Sequence, residues 1–124
     1  MPDDTKLILY IDDDPDYRLA MRQLLEANGL RMIEAENGED GLRIFRAEKP
    51  DLVIVDLMME EIDSGVNFLR EVRSSGSKAP VYLMSSVADS LAATTNPIEL
   101  GFTGVLQKPF ANDWLLTMIR SKLH

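Results

Sequence analysis

The run Leu52-Val53-Ile54-Val55-Asp56 has no solvent face. Strands with one wet face alternate apolar and polar residues, whereas a strand covered on both faces reads as an unbroken apolar run. Leu52–Asp56 is therefore a central, parallel strand. Parallel neighbours cannot be joined by a tight hairpin and need a crossover, usually a helix. The chain on either side of this run supplies such crossovers.

Lys6–Ile11 is a second continuous apolar run. Asp14-Pro15 then gives an N-cap and a first-turn proline, and Tyr17, Met21, Leu24 and Leu25 recur at helical spacing until Asn28-Gly29. Arg31–Ala35 reads as a short strand. Asn37 caps a helix that carries Leu42 and Phe45 and stops at Pro50. Beyond the central strand, Val66, Leu69 and Val72 mark a third helix ending near Ser75-Gly76, and Val81–Ser85 a fourth strand. Gly104–Gln107 is a fifth strand, and Asn112 or Ala111 opens a last helix with Leu115, Leu116, Ile119 and Leu123 on one side. The crossover rule folds this alternation into an α/β domain. It has a five-stranded parallel sheet with helices on both faces, a doubly wound (βα)5 arrangement of flavodoxin-like topology. Between Asp89 and Leu100 the pattern weakens, because Asn96-Pro97 breaks a helix there or starts a short second one.

The length of 124 residues bounds the chain to a single domain, residues 1–124, alone or as the N-terminal part of a longer protein. With no cysteine, disulfides, thiolate chemistry and cysteine-based zinc sites are excluded. A formal net charge of −8 argues against direct nucleic-acid binding by this domain. No apolar run approaches the roughly 20 residues needed to span a bilayer, and the acidic, polar start is no secretory signal. These features predict a soluble, cytoplasmic domain without a membrane partner.

Three strand ends carry the chemistry. Asp12 and Asp13 follow the first strand, Asp56 ends the third, and Lys108 ends the fifth beside Pro109. In open parallel sheets ligands bind at the carboxyl ends of the strands, so these groups converge on one pocket. An aspartate ending a fully apolar strand is costly to bury without a partner or a metal. Neighbouring carboxylates repel, and a divalent cation is the usual remedy. Clustered carboxylates with one cation suit a Mg²⁺-dependent phosphoryl site, with Asp56 as nucleophile and Lys108 offsetting phosphoryl charge. Ser85 and Ser86 add hydroxyls at the same edge. The bland alternatives are a solvated acidic turn, in which Asp14 only caps the next helix, and ordinary turn residues at Lys108 and the two serines.

With these residues in place, the chain resembles the receiver domains of bacterial two-component response regulators over essentially its whole length. The family has an acidic pair after strand one, a phospho-accepting aspartate after strand three, Ser/Thr after strand four and Lys-Pro after strand five. All four are present here in order. The resemblance implies that Asp13 and Asp56 ligate Mg²⁺, that Asp12 acts through a bound water, and that the Met58 carbonyl is a further ligand. It implies that Ser85 and Lys108 bind phosphoryl oxygens. The implied donor is a phosphohistidine on a sensor histidine kinase or a phosphotransfer protein. A receiver assists its own phosphorylation and dephosphorylation, and by this resemblance is not an enzyme. Family positions that influence hydrolysis fall on Met58 and Val87, both apolar, which implies slow self-dephosphorylation.

The chain also departs from the family. Met59 is followed by Glu60-Glu61 rather than proline, and Gly65 lies nine residues past Asp56, one further than usual. Val105 stands where the family carries its switch aromatic, and Phe102 where it has a small residue; Phe102 either fills that space functionally or is core packing. Trp114 and Met118, four apart and off the buried stripe of the last helix, are candidate anchors for a partner or a second copy. They would act within the face formed by the fourth helix, fifth strand and fifth helix, unless Trp114 lies flat over a neighbouring loop. The alternatives in function are a non-phosphorylated pseudo-receiver acting as an interaction module, a hydrolase with an aspartyl-phosphate intermediate, and a flavin carrier. The second lacks room for a substrate cap, and the third is opposed by acids where its phosphate loop belongs.

Overall fold

The computed structural model describes residues 6–56, 62–86, 101–108 and 111–123, without the side chains of residues 62–66, 85, 86 and 107. Five parallel strands, β1 (Leu7–Asp12), β2 (Arg31–Ala35), β3 (Leu52–Asp56), β4 (Val81–Ser86) and β5 (Gly104–Lys108), stand in the order β2-β1-β3-β4-β5. The described helices are α1 (Pro15–Ala27), α2 (Gly38–Glu48), α3 (Ile62–Ser74) and α4 (Asn112–Lys122). This is the doubly wound parallel sheet the alternation predicts, with β3 at its centre. The weak segment Asp89–Leu100 lies outside the described residues, as do Met58, Val87 and Pro109.

Strand periodicity divides the core into two layers. On one face Ile8 and Tyr10 of β1 join Leu52, Ile54, Tyr82, Met84 and Leu106 beneath Met21 and Leu25 of α1 and Leu115, Leu116 and Ile119 of α4. On the other, Leu9, Ile11, Val53, Val55, Val81 and Leu83 pack under Phe45 of α2 and Phe68, Leu69 and Val72 of α3. Successive side chains of a strand point to opposite faces, so a run buried on both sides must be apolar throughout. Phe102 is buried in the second layer among these side chains.

Local chemistry sets the ends of the elements. Asp14 accepts a hydrogen bond from the Asp16 amide and Asn37 from the Asp40 amide, capping α1 and α2. Helix α4 starts at Asn112, and its N-cap, Ala111, offers no side-chain hydrogen bond. Gly29, just past α1, has φ +80°, a conformation that suits glycine.

Candidate functional site at the carboxyl ends of the strands

Parallel register brings the predicted groups together. Asp12 is paired with Asp56 across β1 and β3, and Asp56 with Met84 across β3 and β4. Ser85 and Ser86 follow at the end of β4, in register with Gln107 and Lys108 of β5. Lys108 reaches back over the sheet edge: its Nζ donates to Asp12 Oδ2 at 3.2 Å and also to Asp56 Oδ2. The same ammonium lies 3.9 Å from the centre of the Tyr17 ring on α1, a cation–π contact.

Asp12 is the buried member, with no exposed surface. Its charge is compensated by three donors. Besides Lys108, the Tyr10 hydroxyl donates to Oδ2 at 2.5 Å and the Asp14 amide to Oδ1 at 2.9 Å. Its backbone carbonyl accepts from Arg18 Nη1 at 2.7 Å, and Arg18 Nε in turn pairs with Glu34 on β2. Asp56 and Lys108 keep 12% and 14% of their side-chain surface, enough for an incoming group to reach them. Asp13 is exposed, and among the described residues no three acidic side chains gather into a metal-holding group. Of the predicted carboxylates, the structure therefore joins Asp12 and Asp56 and leaves Asp13 at the rim.

Two carboxylates share one ammonium, so the cluster carries an excess negative charge. Burial, reinforced by the Asp12 charge, raises the Asp56 carboxyl from 3.8 to about 6 against the opposing pull of Lys108. For Lys108, burial works to lower the pKa, but the hydrogen bonds and charges of Asp56 and Asp12 outweigh it and the ammonium is held above its ordinary value. Burial, and then the bond to Asp12, push the Tyr10 phenol well above the usual tyrosine range, so it stays a donor. The donor set fits a hard divalent cation. Its oxygens are carboxylates, its charge is in excess by one, and Mg²⁺ is commonly held by one or two carboxylates with water and phosphate completing the shell.

Comparisons with known proteins bear on the family and the fold. The family described as the response regulator receiver domain matches residues 8–120. The chain belongs to that family. It is 33% identical over 116 residues to the response regulator MprA of Mycolicibacterium vanbaalenii, covering 94% of this chain and 49% of that protein. The chain thus spans about half the length of the curated relatives it matches. Among solved structures, the receiver domain of Francisella response regulator 1452 superposes with a TM-score of 0.81 at 24% identity, covering 96% of this chain and 97% of that one. The chemotaxis response regulator CheY4 of Vibrio cholerae gives 0.80 at 24%, covering 94% and 98%. These two likenesses bear on the fold.

Sequence reasoning missed Tyr10 and Arg18. A signal for Tyr10 was available: a hydroxyl in a strand with no solvent face needs a partner, and Asp12, two residues on, shares its face.

Proposed function

We propose that this receiver domain takes a phosphoryl group from a sensor histidine kinase or a phosphotransfer protein onto Asp56 and changes conformation to control an output. The reading is supported by one observation above all: Asp56, partly open at the sheet edge, shares the Lys108 ammonium with the buried Asp12. A carboxylate oxygen of Asp56 attacks phosphorus, the new O–P bond replaces the P–N bond of the donor phosphohistidine, and the electron pair leaves on the imidazole nitrogen. Lys108 neutralises charge on the transferring group and Ser85 donates to a phosphoryl oxygen. Asp12, Asp13, Asp56 and the Met58 carbonyl would hold Mg²⁺, which when bound offsets further negative charge. Because the group transferred ends on the chain itself, the domain is a substrate that assists its own modification and not an enzyme.

Phosphorylation adds charge and acceptor oxygens at Asp56 and biases a two-state equilibrium. Trp114, 53% exposed on α4, is the candidate contact for a partner or a second copy on the face that includes β5 and α4; Met118 instead packs partly against the core. Acetyl phosphate with Mg²⁺ should label the wild-type chain, and labelling should fail with chelator, in Asp56→Asn, and largely in Lys108→Ala. Equal labelling of Asp56→Asn would overturn the proposal. No labelling of wild type by acetyl phosphate or by a phosphohistidine donor would favour the non-phosphorylated interaction module.

A further inference from the structure

Tyr10 is out of keeping with its strand. Every other residue of Leu7–Ile11 is aliphatic, and Tyr10 is fully buried in the layer beneath α1 and α4. A phenylalanine would fill nearly the same volume without a polar atom to satisfy. The hydroxyl is satisfied by Asp12 Oδ2 at 2.5 Å, with Met84 Sδ at 3.7 Å on the neighbouring side. The i, i+2 relation along β1 places ring and carboxylate on one face of the sheet, so the contact follows from the strand itself.

Asp12 is thereby gripped from two directions. Lys108 holds Oδ2 from the open end of the pocket, and Tyr10 holds the same oxygen from the core, while the Asp14 amide fixes Oδ1. An arriving cation or phosphoryl group can draw Lys108 away, since its side chain reaches the pocket from β5. The phenol has nowhere to go, because its ring is locked between core side chains.

We propose that Tyr10 is a positioning residue of the phosphoryl site: its hydroxyl fixes the Asp12 carboxylate from the core side, so that the acid keeps its orientation when Lys108 lets go. The inference rests on the functional reading above and extends it to a residue outside the pocket. Partners that orient ligating groups typically matter by about 10–100-fold in metal affinity.

The test is Mg²⁺ titration of the unphosphorylated chain, followed by amide chemical shifts or calorimetry. Wild type, Tyr10→Phe and Tyr82→Phe are compared. Tyr82 is a buried tyrosine of β4 in the same core layer that makes no hydrogen bond to either carboxylate, and so controls for loss of a core hydroxyl. Tyr10→Phe should weaken Mg²⁺ binding about tenfold, with Tyr82→Phe at the wild-type value. Thermal melts report folding, and a partly unfolded variant is titrated again in a stabilising osmolyte alongside wild type. Unchanged or tighter binding in Tyr10→Phe overturns the assignment, as does equal weakening in Tyr82→Phe. If wild type itself binds no Mg²⁺, or binds it equally after Asp56→Asn with Asp12→Asn, the functional reading fails instead.

Discussion

Replacing Asp56 by asparagine should make the metal-free chain more stable at neutral pH. The carboxyl sits in an excess of negative charge, and its pKa is raised from 3.8 to about 6 by burial and by Asp12. A folded-state value above the unfolded one means the native chain binds the proton more tightly. The stability this contributes is complete below the unfolded value and is lost as pH rises through about 6. The displacement from 3.8 to about 6 corresponds to about 3 kcal/mol once both states are ionised. The side chain is only 12% exposed, so solvent removes little of this. Asparagine keeps an acceptor for Lys108 without the charge, while Lys108 retains Asp12. The variant should gain about 1–3 kcal/mol at pH 7.5, or roughly 4–12 °C in Tm. Thermal and urea melts in chelator between about pH 4 and 7.5 measure the gap. It should narrow toward the acid end, as pH falls below the folded value of about 6 and approaches the unfolded value of 3.8. A variant no more stable than wild type at pH 7.5, or a gap independent of pH, would show that the Asp56 charge does not destabilise the fold.

The Glu34 network should behave with the opposite sign. Burial would raise the Glu34 carboxyl, but hydrogen bonds from Arg22 and Arg18 bring it below its ordinary value. Glu34→Gln should cost at most about 1 kcal/mol at neutral pH, since the carboxylate is 38% exposed, and the cost should vanish in melts as pH falls through the acid range. Gly41→Ala should destabilise: an added Cβ would lie 2.3 Å from Ile11 Cδ1 and 2.9 Å from its Cγ1, in the closed core. Overpacking of about 1–3 kcal/mol outweighs the gain of roughly 1 kcal/mol in helix propensity, and urea melts would show the net loss. Trp114→Ala should leave labelling of Asp56 intact while weakening partner or self-association, measured by sedimentation.

Much of this was legible because strand and helix periods are written directly in the apolar residues. Arg31–Ala35 and Leu52–Asp56 match the expected limits to the residue, and β1, β4 and β5 each extend one residue further toward the pocket. Two of those extensions carry site residues: Asp12 and Lys108 are strand residues, still in register, rather than loop residues. Which of two adjacent aspartates turns inward was not legible. Periodicity sends Asp12 to the Tyr10 side and Asp13 away, but the bend after β1 could have brought both inward. The grip on Asp12 Oδ2 was legible only in its local half, Tyr10; the other half depends on Lys108 reaching across the strand ends from β5, far apart in sequence and separated from β1 by β3 and β4.

The most direct measurement is the site of the adduct. The chain is labelled with acetyl phosphate and Mg²⁺, one portion is treated with hydroxylamine, and peptides of both are mapped by mass spectrometry. A single hydroxylamine-labile phosphoryl group on Asp56 is expected. A hydroxylamine-stable adduct on Ser85 or Ser86, or a labile one on Asp12 or Asp13, would contradict it.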